Sequence, residues 1–221
     1  MDTLLLRLIA PQQSWGVQSH YTIRDSGKEP SKSGVIGLLC AALGRPREAD
    51  VADLAALRMG VRVDREGTLR SDYHIAQNVL DSDGKGTRDS IVTNRYYLAD
   101  AAFLVGLQGD FALLQLLQEA LRHPVWAIYL GRKAFTPAAP VWLPDGLQAG
   151  LGLEDALCRY GWITRRHAAA DPAGVRVVLE MDDGMQVRQD VPISFAARRF
   201  SSRRVSTRLV PAPSALAMEV I

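Results

Sequence analysis

The sequence predicts an α+β fold, a ferredoxin-like βαββαβ core carrying insertions, on three observations. Dense aliphatics run from Thr3 to Ala10 and stop at Pro11, a capped apolar segment spans Pro30 to Gly44, and an amphipathic segment runs from Asp110 to His123 among strand-like runs. With 221 residues and 48% apolar content, the chain can fill one large core or two small ones. The expected division is a ferredoxin-like domain over 1–145 and a smaller β-rich region over 146–221 that completes the sheet.

The aliphatic run from Thr3 is too short for an amphipathic helix and reads as a buried first strand. A long polar stretch follows from Pro11 to Pro30, with Trp15, His20 and Tyr21 embedded in it. Trp15 is either a lid over the core or a surface on which a base stacks. Pro30, Ser31 and Ser33 open a helix that Gly44 and Pro46 close. Backbone N–H groups bared beside Lys32 suit a phosphate, although an ordinary capped core helix fits the same residues. Gly34 and Gly37, each costing about 1 kcal/mol against alanine, imply a close neighbour or ligand there.

Asp50 to Gly60 reads as a short helix ended by glycine. Val61 to Arg65, a turn at Glu66-Gly67, and Thr68 to Val79 read as a hairpin. Its extension from Gln77 to Tyr97, with a glycine-rich tip at Asp81 to Gly86 bearing Lys85 and Arg88, predicts a protruding arm. Asp81 and Asp83 open like a calcium loop, but Val92 stands where the closing glutamate belongs. Ala101 to Leu107 is a strand, and Asp110 caps an amphipathic helix stopped by Pro124. An aromatic and basic loop runs from Val125 to Val141, Leu153 to Tyr160 is a short helix, and Val175 to Glu180 pairs with Met185 to Val191 about Asp182-Asp183-Gly184. The segment from Phe195 to Val210 is basic and leads into a final strand.

A net charge of +2 does not by itself argue for nucleic acid, but its distribution does. Of 26 basic residues 22 are arginine, and Arg198, Arg199, Arg203, Arg204 and Arg208 share a segment with no acid between Val191 and Met218. Guanidinium forks match phosphate oxygens. Cys40 and Cys158 sit among apolar residues without a CxxC or a neighbouring histidine, so reduced buried thiols are expected rather than a metal site or disulfide. No metal or cofactor is implied. No run of 18 apolar residues exists, so no membrane span is expected and the cytoplasm is the expected location.

Several motifs occur in one order along nearly the whole chain: Pro11-x-Gln13-x-Trp15-Gly16, Pro30-x-x-Ser33-Gly34-x-x-Gly37-Leu38-Leu39, Asp72-Tyr73-His74, Arg95-x-Tyr97-Leu98, Tyr129-Leu130-Gly131-Arg132-Lys133 and the late arginine-rich stretch. Together they resemble the Cas-five family of CRISPR-associated proteins, in its type I-E branch. The resemblance implies a RAMP-superfamily protein with an RRM-like, ferredoxin-like domain, and the arm would be the family's thumb. It implies a non-catalytic subunit of the Cascade ribonucleoprotein complex that caps the 5′ handle of the crRNA. Its implied partners are that crRNA, the backbone subunit CasC, the large subunit CasA and, through the guide, target DNA; no membrane is involved. The residues carried onto RNA contact are Gln13, Trp15, His20, Ser31, Lys32, Ser33, Gly34, Tyr73, His74, Lys85, Arg88, Arg95, Tyr129, Arg132, Lys133, Arg199, Arg203 and Arg204. Two or three stacked bases at about 1 to 3 kcal/mol each, beside a basic groove, would suffice for binding.

A catalytic alternative exists, because relatives in the type I-C branch cut repeat RNA with a tyrosine, a lysine and a histidine. His20, Tyr21, Lys32 and His74 make metal-independent cleavage through a 2′-hydroxyl chemically conceivable. The lysine–histidine neighbour pair of that branch has no counterpart, Lys133 being followed by Ala134, and the type I-E resemblance implies a separate endonuclease subunit, CasE. No turnover is therefore expected. A generic RRM-like binder or pure scaffold is a further reading, weakened by the lack of an RNP-type aromatic run on a strand.

Overall fold

Leu4, Leu5, Leu6 and Leu8 are all buried because the strand that carries them has a neighbour on each edge and a layer on each face. The computed structural model describes residues 1–16, 22–81, 83–164 and 174–213. In chain order the elements are β1 (Asp2–Ile9), β2 (Gln12–Gln13), β3 (Ile23–Arg24), α1 (Lys32–Leu43), α2 (Ala52–Ala55), β4 (Arg58–Arg65), β5 (Thr68–Leu80) and β6 (Thr87–Ala99). Then follow β7 (Ala102–Gly109), α3 (Phe111–Arg122), β8 (Trp142–Gln148), α4 (Leu153–Arg159), β9 (Val175–Glu180), β10 (Gln186–Ser194) and β11 (Arg199–Val210).

Seven strands form one sheet in the order β10-β11-β9-β4-β7-β1-β8, every neighbouring pair antiparallel. Residues of α1 and α3 pack on one face with Leu4, Leu6, Met59, Val61, Phe103 and Val105. The other face carries α4, packed with Leu5, Leu104, Val177 and Leu179. The result is a mixed α+β architecture, mostly antiparallel. Among the described residues, no helix is long and apolar enough to cross a membrane.

Three expectations about pairing are corrected. Helix α2 is only one turn, and Met59 and Gly60 belong to β4 rather than to a helix end. A Cβ at Gly60 would lie 2.7 Å from Leu157 Cδ1, and one at Gly106 2.8 Å from Leu153 Cδ1, so these glycines let α4 sit close on the sheet. Next, β4 and β5 do not form a hairpin. At Gly67 (φ 71) the chain leaves the large sheet, and β5 pairs with β6 from Thr68↔Ala99 to Leu80↔Thr87. The arm is therefore longer than the Gln77–Tyr97 extension, and its base is joined by β2 and by β3, the latter parallel to β6. Finally, β9 and β10 are not partners, because β11 lies between them. The arginine-rich segment is thus itself a strand, ordered by a neighbour on each side.

Candidate nucleic-acid interface

The start of α1 is an anion site whose anion comes from the protein. Ser31 is the N-cap, its Oγ accepting from Gly34 N at 3.3 Å, while Asp190 Oδ2 accepts from Lys32 N at 2.8 Å. Lys32 Nζ donates to Glu180 Oε1 at 2.9 Å and is 2% exposed. Arg203 forks onto Asp190 (2.7 and 2.9 Å) and reaches Glu180 Oε2 at 3.4 Å. Burial pulls the Lys32 ammonium below its ordinary value, with Glu180 opposing. Burial alone would raise the Asp190 carboxyl, but Arg203 and the Lys32 N–H more than offset it and hold it low. Lys32 and Arg203 are therefore not the phosphate-facing cations the sequence suggests: two carboxylates already neutralise them, and little solvent reaches them.

Trp15 also turns inward. It is 2% exposed, its Nε1 donates to Gln13 Oε1 at 3.2 Å, and fully buried Gln13 in turn donates to Leu8 O and Ala101 O. A Cβ at Gly34 would stand 2.9 Å from Trp15 Cε3, so that glycine admits a ring rather than a ligand. Of the two readings of Trp15, the lid is the one realised. Ser31 is buried as well, whereas half-buried Ser33, 3.4 Å from it between hydroxyls, borders a surface groove.

Of the remaining candidates, Tyr73, His74, Lys85 and Arg88 are exposed on the arm, Arg95 and Arg132 are half-buried at its foot, and Arg199 and Arg204 are exposed on β11, away from it; His20 lies outside the described residues. None of the thirteen residues of β5 is buried, and Tyr73 (64% exposed) and His74 stand on it. Lys85 is at the exposed tip, where Arg88 Nε donates to Asp81 Oδ1 at 2.5 Å. Exposed Lys133 lies beside Arg132. On β11, Arg199 is exposed and Arg204 Nη1 donates to Gly184 O at 3.5 Å.

At the foot of the arm the structure brings Arg95 and Arg132 together with Arg24 around a hollow of about 350 Å³. Arg132 Nη2 donates to Tyr96 O at 2.8 Å, and its guanidinium lies 5.3 Å from the Phe135 ring centroid. Burial, then Arg95, then Arg24 push Arg132 below the usual arginine range, with Asp72 opposing. Across Gly131 lies a second groove, of about 580 Å³, lined by Tyr129, Trp126 and Phe195 together with Gly34 and Gly37 of α1. Among the described residues, no group of three or more His, Cys, Asp or Glu is placed to hold a metal ion.

A family model described as "CRISPR-associated protein (Cas_Cas5)" matches residues 3–206. The chain belongs to this Cas-five family. It is 33% identical over 156 residues to "CRISPR system Cascade subunit CasD" of Escherichia coli (strain K12), covering 63% of this chain and 69% of that protein. A crystal structure of a Cas protein, 43% identical, superposes with a TM-score of 0.77 over 96% of this chain and 97% of that one. A chain of a CRISPR RNA-guided surveillance complex, 32% identical, gives 0.79 over 96% and 91%.

In this Cas-five protein, sequence reasoning missed Arg24, Trp126, Phe195 and the rim residue Arg47 as site candidates. For Trp126 a signal existed, since it opens the aromatic and basic loop that also holds Tyr129 and Arg132. For Arg24 none did. It lies in a polar loop and reaches the site only because β3 pairs beside Asn94 and Arg95.

Proposed function

We propose that this Cas-five protein is a non-catalytic, RNA-binding subunit of a type I-E Cascade complex. It caps the 5′ handle of the crRNA and anchors neighbouring subunits, the backbone CasC and the large subunit CasA, in the cytoplasm. The observation that carries this reading is the exposed β5–β6 arm footed on three converging arginines. A single strand led along such an arm meets cations for its phosphates and exposed rings, Tyr73 and Tyr129, for its bases. The relatives are a Cascade subunit and a chain of an RNA-guided surveillance complex, which supports guide RNA and neighbouring subunits as partners here. The order β8-β1-β7-β4, with α1 following β1 and α3 following β7, supports reading that half of the sheet as the ferredoxin-like βαββαβ core of a RAMP protein.

The absence of turnover is part of the proposal. Lys32 is buried on Glu180 while His74 stands exposed on β5, so that lysine is not presented to a strand lying along the arm. Repeat RNA incubated with the full chain under metal-free conditions stays intact; site-specific cleavage lost in His74→Ala would reverse this. For the binding reading, the full chain binds RNA carrying the repeat-derived handle, with affinity falling steeply as salt rises. Equal affinity for RNA of the same length without the handle would sink it.

A further inference from the structure

The hollow at the foot of the arm and the aromatic groove share one wall, Gly131. We infer that the pair forms a seat for one unpaired nucleotide: Arg24, Arg95 and Arg132 clamp a single RNA phosphodiester, and Trp126, Tyr129 and Phe195 receive the base beside it. This inference rests on the guide-binding reading and adds which residues hold which part of the strand.

Charge points to the phosphate. Three guanidiniums and one carboxylate, Asp25, line the smaller hollow, an excess that an anion relieves. Burial first, and then Arg95 and Arg24, lower the proton affinity of Arg132 against the opposing Asp72, so the arginine crowding is one part of that shift. The site is also held in shape before any ligand arrives. Arg132 is tied to Tyr96 O and packed over Phe135, whose ring lies 5.9 Å from that of Tyr97. Arg95 Nε donates to Thr93 Oγ1 at 3.0 Å. Gly131, at φ 97, presses so closely on Ser14 that a Cβ would sit 1.8 Å from Ser14 O, which fixes the loop that aims Arg132.

The second groove tells a nucleotide from a free anion. Trp126 is 47% and Tyr129 37% exposed, and with Phe195 they line about 580 Å³ of open space, room for a flat ring between helix and loop. Arg47 at the rim suits the next phosphate along the strand. A small free anion would use the arginines and leave the rings untouched. An RNA strand uses both, with its backbone bending over Gly131.

A substitution cycle on the full chain tests this, using a short repeat-derived handle RNA in which methylphosphonate replaces one phosphate at a time. With the unaltered protein, one position loses about tenfold in affinity. In Arg24→Gln or Arg95→Gln that same replacement costs clearly less, since two guanidiniums remain, and the salt slope of the unmodified RNA drops by about one. An abasic residue beside that phosphate weakens binding to the unaltered protein but not to Trp126→Ala. Melting curves of the variants confirm that they fold, and Arg24→Lys retains most of the affinity. Methylphosphonate penalties that persist unchanged in both arginine variants overturn the phosphate seat, and abasic penalties that persist in Trp126→Ala overturn the base groove. If handle-less RNA binds the unaltered protein equally well, the handle reading fails on its own, and the same cycle run on that RNA still decides the seat.

Discussion

Lys32 and Arg203 show why a cation in a promising motif need not meet a ligand. Each is buried against carboxylates contributed by β9 and β10, so their charges hold the N-terminus of α1 onto the far half of the sheet. Breaking such a network leaves an uncompensated buried charge, which costs more than the intact pair contributes. Asp190→Asn removes the fork acceptor of Arg203 and weakens the cap on Lys32 N, and is expected to lower unfolding free energy by about 3 to 5 kcal/mol in a denaturant titration. The pH dependence has a definite sign. The folded Asp190 carboxyl titrates below its ordinary 3.8, so its contribution is present above that value and lost as pH falls through the folded one. Asp190→Asn should therefore show a flatter acid limb than the unaltered protein. At this scale the sequence was half legible: the capping serine and the stopping glycine could be read, because capping is local. The partners of Lys32 could not, since they lie 148 and 158 residues away.

Among elements, the loop through Gly131 and the β5–β6 arm do different work from the sheet that supports them. Gly131→Ala cannot keep both φ 97 and the contact with Ser14, so the loop has to shift and Arg132 with it. Handle-RNA affinity is expected to fall about tenfold. The midpoint of thermal unfolding should drop only slightly, because much of that loop is exposed; calorimetry beside a binding titration checks the split. The arm itself was legible from alternation and a glycine-rich tip, but its length and base were not. β5 leaves β4 for another sheet at Gly67, a choice that depends on Ala99 and Ala101 standing close by rather than on the turn residues alone. The hairpin expected between β9 and β10 fails for a related reason: a short acidic turn permits pairing, yet β11 competes for the edge of β9 and wins with a six-residue register.

Across the whole molecule, β9 pairs with β4, so the sheet runs without a break through the boundary expected near residue 145. Buried Arg62 of β4 forks onto Asp64 (2.7 and 2.9 Å) and donates to the carbonyls of Leu157, Tyr160 and Gly161. A chain ended after Gln148 would lose those carbonyl acceptors, uncover the apolar face on which α4 packs and bare the β4 edge. Such a fragment is expected to aggregate, while the full chain unfolds in one transition in urea; a soluble, cooperatively folding fragment would show two independent units. What the sequence by itself determined was the set of local elements, the apolar faces and, through motifs in order, the family, all of which follow from neighbours a few residues apart or from residue types. Only the tertiary structure decided which arginines face solvent and which are neutralised inside, because side chains far apart in the chain compete for the same carboxylates. It also decided that Arg24, Arg95 and Arg132 meet, since that convergence needs β3 laid beside β6 and the Gly131 loop folded against Ser14.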